Sequence, residues 1–216
     1  MSPANEVDPK RVEHNNELLE KALERNRGSR AWRGWKAEQA GDLVDSFANR
    51  TSRLQLLEIS LEGDLNVIYS IDMPVPCFPV GDRLVVERGA TFHLRYDEAW
   101  RIGGPPGWLT LGLLDPRAPY HPNMRPSLRG AICLGRLPAN VPVGEILLTG
   151  YHALQLQNLV LDPTDPEGVL NAEACEFFRN HQEYLPLSRA GLYEVWDGRP
   201  LHAELHEAHR DGGTAS

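Results

Sequence analysis

APYHPNMRPSLRGAICLG, residues 118–135, is the stretch on which the reading of this chain turns. It opens with a turn signal, His121-Pro122-Asn123, and runs on through a loop holding Arg125, Pro126, Arg129 and Gly130. It closes on Cys133, between Ile132 and Leu134. A Pro-Asn turn followed by a Gly-bounded loop fixes backbone direction over a few residues. Such a loop can hold a small reactive side chain beside amide donors. No acidic residue falls between Asp115 and Glu145, whereas Arg117, Arg125, Arg129 and Arg136 all do. Nearby cations favour the thiolate, which is the nucleophilic form of cysteine. Two readings of Cys133 follow from the residues alone. It is a nucleophile in an electropositive loop, or a small hydrophobe buried among apolar neighbours.

His121-Pro122-Asn123 followed by Gly130-Ala-Ile-Cys133-Leu134 resembles the active-site signature of ubiquitin-conjugating enzymes. Upstream, Tyr96 to Trp100, Pro105-Pro106 and Trp108–Leu114 are similar to that family's strand, proline-rich turn and following strand. Downstream, Leu161–Pro166 and Asn171–Ala174 are similar to the loop after its central helix and the start of its next helix. The resemblance spans about Leu54 to Leu187. Two departures mark a divergent relative of bacterial type. Asn123 and Cys133 are ten residues apart, a slightly longer gap than usual, and Arg136–Pro142 replaces the tryptophan that commonly follows the loop.

The resemblance implies an α+β fold, a four-stranded antiparallel meander flanked by helices, with an N-terminal helical extension. It implies a thioester on Cys133, accepted from an activating enzyme that carries a ubiquitin-like protein, and transfer to a lysine amine of a target protein. A ligase is a further implied partner, and bacterial antiviral defence is an implied setting. Asn123 is then an oxyanion donor or a brace for the loop; one lost oxyanion donor costs on the order of 100-fold in rate. Asp165 matches the position that orients or deprotonates the incoming lysine, with a plain Asp-Pro turn residue as the alternative. His121 and Pro122 hold the turn, and Tyr120 packs beneath it. A cysteine hydrolase and a non-catalytic ubiquitin-like-binding module are the competing readings. The hydrolase needs a histidine base, for which His93, His152 and His181 are candidates by type.

Working outward, strand candidates are Leu54–Leu61, Asn66–Ile71, Ala90–Tyr96 and Trp108–Leu114. In the third, Phe92, Leu94 and Tyr96 alternate with His93 and Arg95, the pattern of a half-buried strand. Pro74, Pro76 and Pro79 are expected to keep Cys77 in a loop or at a sheet edge, with no assigned role. Glu145–Val160 reads as a central helix apolar on several sides, ended by Asp162-Pro163, with His152 a structural residue. Asn171 caps a further helix whose stripe is Ala174, Phe177, Phe178 and Leu185, with Cys175 beside it. Asp8-Pro9 starts an N-terminal helix that ends near Gly28. A second carries Trp32, Trp35, Ala40, Leu43, Val44 and Phe47, weakened by Gly34 and Gly41.

Domain boundaries are expected at 1–30 for the extension, 31–190 for the catalytic domain and 191–216 for a C-terminal extension. That last segment holds Tyr193, Trp196, a helical stretch around His202–His209 and a disordered end with Gly212-Gly213.

The 216 residues carry a formal charge of −8, concentrated in 162–216, where eleven acids face four bases. An acidic chain with no basic stripe is a poor nucleic-acid binder. No apolar run reaches the roughly 20 residues of a membrane span. No clustered ligand set or Gly-rich phosphate loop occurs, so neither metal nor nucleotide cofactor is expected. Three cysteines with no Cys-x-x-Cys pair suit a reducing cytoplasm. Lys10, Lys21 and Lys36 are the only lysines; the other nineteen bases are arginine.

Overall fold

The computed structural model describes residues 6–103, 109–116, 119–125, 131–135, 137–165 and 168–194. Helix α1 (Pro9–Glu24) is capped by the Asp8 side chain, which accepts from the Lys10 amide at 3.0 Å, with proline in its first turn. Gly28, at φ 115°, turns the chain, a conformation only glycine adopts without strain. Ser29 then caps α2 (Arg30–Asp42), accepting from the Trp32 amide. The helix runs past Gly41 and widens into a π-helical segment, Leu43–Ala48. Both expected N-terminal helices are therefore present. Leu18, Leu19 and Ala22 of α1 and Trp32 and Ala40 of α2 join the main core.

Four antiparallel strands follow in the order β1-β2-β3-β4: β1 (Leu54–Ser60), β2 (Leu65–Val80), β3 (Arg83–Tyr96) and β4 (Leu109–Asp115). The fold is α+β and the sheet is a meander of sequentially adjacent strands, the arrangement that short connections produce. On β3, Leu84, Val86, Ala90, Phe92, Leu94 and Tyr96 are all buried. Buried on β2 are Leu65, Val67, Tyr69, Ile71, Met73, Val75 and Cys77, of which the first four pair with Tyr96, Leu94, Phe92 and Ala90. The period of two holds over Leu65–Met73 and Ala90–Tyr96; beyond them Arg88 is exposed and Met73 to Cys77 are buried in succession.

β3 starts at Arg83, well before the expected Ala90, and three further boundaries differ from the sequence-based expectations. First, β2 continues through Cys77, which pairs with Val85. The prolines are tolerated because β1 pairs with β2 only as far as Ile71, so the distal half of β2 has a ladder on one side alone. Cys77 is thus in a strand and at an edge, with Pro119 bridged to it. Second, the segment after Tyr96 is not strand. Asp97 caps a helical turn, α3 (Glu98–Arg101), by accepting from the Trp100 amide at 2.7 Å. Third, the central helix α4 spans Val143–Leu154 only. Leu156 turns left-handed at φ 56°, and the amides of Leu156 and Gln157 close the last turn on the Ala153 and His152 carbonyls.

Beyond α4 the apolar residues leave the first core for a second. Leu156 packs with Leu84, Val86, Tyr120, Ala174, Phe178 and Leu187 beneath the distal β2–β3 hairpin. Helix α5 (Ala172–Asn180), capped by Asn171, supplies Ala174 and Phe178, and Phe177 and Leu185 pack at the margin. Cys175 is buried beside them. A 3-10 turn, Gln182–Tyr184, follows. Trp108 and the proline pair before it, Trp196, the stretch around His202–His209 and Gly212-Gly213 lie outside the described residues. Among the described residues no helix is long and apolar enough to cross a membrane.

Candidate active site

The His-Pro-Asn turn sits where the two cores meet. Tyr120, before it, belongs to the second cluster and Met124, after it, to the first. Tyr120 packs against Phe78, Phe177 and Phe178 and is anchored by its amide, which donates to the Pro76 carbonyl at 2.8 Å. Burial pushes its phenol up to about 12, so it packs as a neutral ring.

His121 is completely buried. Its Nδ1 accepts from the Asn123 amide at 3.0 Å, so Nε2 carries the proton and donates to the Ala153 carbonyl at 2.9 Å. Burial lowers its pKa to about 4, and the bond to Ala153 only partly opposes this. A neutral imidazole with both nitrogens committed to backbone holds the turn and takes no proton from a substrate. Pro122 is buried, and its carbonyl accepts from both Leu170 and Asn171, each at 2.9 Å. The turn is thereby tied to α4 on one side and to the start of α5 on the other.

Two short antiparallel bridges bring the cysteine back to the turn: Gly112 with Ala131, and Met124 with Ile132. The Ile132 amide donates to the Leu111 carbonyl of β4 at 3.0 Å. Ile132 is buried and Leu134 packs against the core, while Cys133 between them is half-buried. Cys77 and Cys175 are buried, and burial raises both thiols, Cys77 to about 12. Of the four arginines around the loop, Arg125 is exposed; Arg117, Arg129 and Arg136 lie outside the described residues.

Cys133 opens on a groove of about 610 Å³ whose lining includes Asn123 and Asp165. The three residues expected to carry the chemistry therefore share one concave surface. Thr149 and Ala153 of α4, with Asn158, Val160 and Gly168, are also part of the lining. The Asp165 carboxylate accepts from the Gly168 amide at 3.0 Å, which closes a tight loop.

Asn123 makes the contact that decides its role in this structure. Its side-chain amide donates to the Gly168 carbonyl and, more weakly at 3.5 Å, to that of Val160; its oxygen accepts from the Val160 amide at 3.4 Å. Of the two roles implied for it, the brace is the one these bonds describe. His93 bonds Asn66, His152 bonds Gln157 and His181 stacks on Phe177; none of them lines the groove. Among the described residues no group of three or more His, Cys, Asp or Glu is placed to hold a metal ion.

Thr149, Asn158 and Gly168 are groove residues that sequence reasoning missed. Asp165-Pro-Glu-Gly168 carries a turn signal that could have marked Gly168. Asn158 follows Gln157 in a mixed polar and apolar stretch and gives no such signal. Compared with known protein families, curated proteins and solved structures, the chain has no match.

Proposed function

We propose that this chain is a ubiquitin-conjugating-type acyl carrier, with the fold of that family built on its four-stranded meander. The observation that carries the reading is the shared groove: a half-buried thiol, a bracing asparagine and a carboxylate converge there. Cys133 thiolate takes the C-terminal acyl group of a ubiquitin-like protein from an activating enzyme by thiol exchange. An amine of a target protein, directed in some cases by a ligase, then enters across the groove beside Asp165. The carboxylate orients that amine and accepts its proton as the C–N bond forms and the C–S bond breaks, with the Cys133 sulfur leaving as thiolate. His121 takes no proton in this scheme, because burial keeps it neutral and both ring nitrogens are occupied. Such a thioester would operate in a reducing cytoplasm, the compartment expected from the cysteine pattern. Bacterial antiviral defence is the setting that the resemblance suggests.

A hydrolase places a histidine base beside its nucleophile. That geometry is not found among the described residues lining this groove. The separating experiment loads the chain chemically, with a fluorescent peptide ending in Gly-Gly and activated as a mercaptoethanesulfonate thioester. A carrier accumulates a thiol-labile adduct that added free lysine discharges as an amide. Rapid turnover by water alone indicates a hydrolase, and no covalent product indicates a binding module; either outcome removes this reading.

A further inference from the structure

The lysines of this chain are few, and their positions say which of them the loaded enzyme can reach. Lys36, on α2, has no exposed surface. Its Nζ donates to the carbonyls of Arg27 at 2.9 Å, Gly63 at 2.8 Å and Leu61, and it lies 5.3 Å from the centre of the Trp32 ring. Three donated hydrogens describe an ammonium whose nitrogen has no lone pair to offer. Lys36 is therefore a structural cation that closes the α1–α2 corner onto the β1–β2 turn.

Lys10 and Lys21 differ in kind. Both lie on the outer side of α1; Lys10 is exposed, and the Lys21 side chain is 71% exposed in a loose pair with Glu17 at 3.6 Å. An exposed pair of this length is weak and screened by solvent, and it does not hold the amine back.

The sheet separates them from the thiol. α1 is anchored at the β1 edge, where Arg11 donates to the Ser52 carbonyl at 2.6 Å and Asn15 bonds Asn49 at 2.9 Å. Cys133 follows Ile132, whose amide bonds Leu111 on β4, the opposite edge. Three inter-strand spacings put those edges about 14 Å apart, and α1 lies beyond the near one. No lysine side chain spans that distance to attack a carbonyl on its own molecule's sulfur.

We propose that Lys10 and Lys21 are the self-modification sites of the loaded enzyme, and that the transfer runs from one molecule to another. This rests on the carrier reading above and adds the acceptor to it. The step is an aminolysis. The neutral Nζ of Lys10 or Lys21 attacks the thioester carbonyl held on a second molecule's Cys133. A C–N bond forms and the C–S bond breaks. The sulfur leaves with the bonding pair as thiolate, and the amine's proton passes to the Asp165 carboxylate of the molecule that carries the thioester and from there to water. The product is a thiol-resistant amide on α1.

The test uses two full-length variants and the same Gly-Gly peptide thioester. The donor, Lys10→Arg/Lys21→Arg, is loaded on Cys133 and cleared of reagent, then mixed with Cys133→Ala as acceptor. Amide adducts are mapped by tandem mass spectrometry. The expected result is adducts on Lys10 and Lys21 of the acceptor, at an initial rate proportional to acceptor concentration. A thiol-resistant adduct on the donor's Lys36, a rate independent of acceptor, or no amide although free lysine discharges the donor, each overturns the inference and leaves the carrier reading standing. Failure of the donor to load overturns both.

Discussion

The backbone amide of Cys133 donates to the carbonyl of Asn123 at 2.9 Å, across a loop of nine intervening residues. The cysteine is therefore held by the asparagine's main chain, while the asparagine's side chain holds another loop of the groove. One residue thus links the Cys133 segment to the loop of Val160 and Gly168. Removing that side chain takes away the brace but leaves the contact to Cys133 in place.

Asn123→Ala leaves the Gly168 carbonyl and the Val160 amide without their partner. Unsatisfied groups of this kind cost about 1–3 kcal/mol. Chemical denaturation is expected to show a loss in that range, and hydrogen exchange should speed up at Val160 and Gly168. An unchanged midpoint with slowed transfer would instead assign Asn123 to the oxyanion.

His121 sets an acid limit on stability. Its folded pKa, near 4, lies below the ordinary histidine value of 6.5. The unfolded chain thus binds a proton more readily between those values, so stability is complete above pH 6.5 and falls as pH drops towards 4. The loss is on the order of 3 kcal/mol. Urea titrations from pH 7 to 4 should show this one-proton dependence in the native chain and not in His121→Gln. An equal dependence in both would place the titration elsewhere. The transfer rate should show no inflection assignable to His121 near pH 6.5.

The fold was legible wherever one local rule acted alone. The Asp8-Pro9 start, the Asn171 cap and the Phe92–Tyr96 alternation each depend on neighbours within a few residues, and each is present. What the sequence obscured depends on distant partners. The prolines of β2 forbid a central strand only where both neighbours exist, and their local sequence does not say that β1 stops pairing at Ile71. Leu156, Leu159 and Val160 extend a helical apolar pattern, yet Leu156 and Leu159 belong to the second core, and the chain leaves the helix to reach it. The Gly81-Asp82 turn joining β2 to β3 was a readable hairpin signal, with Gly81 at φ 61°. Within the site, the motif named Cys133 and Asn123, but the engagement of Asn123 by Gly168 needed a residue 45 positions away.

Gly168 leaves no room for a side chain. A Cβ there would lie 2.7 Å from Val160 Cγ1 and 2.9 Å from Asp165 Oδ2. Gly168→Ala should push the loop outward and displace the carboxylate. Loading of Cys133 is expected to persist, while discharge to free lysine slows by about tenfold or more. Equal slowing of both steps would show that the loop serves the thiol and not the incoming amine.

The most direct test of the central claim is intact and tandem mass spectrometry of the chain after exposure to the Gly-Gly peptide thioester. The account predicts one thiol-labile adduct, on Cys133 and removed by dithiothreitol, and no thiol-labile adduct on Cys133→Ser. A labile adduct that survives this substitution, or one mapped to Cys77 or Cys175, would contradict it.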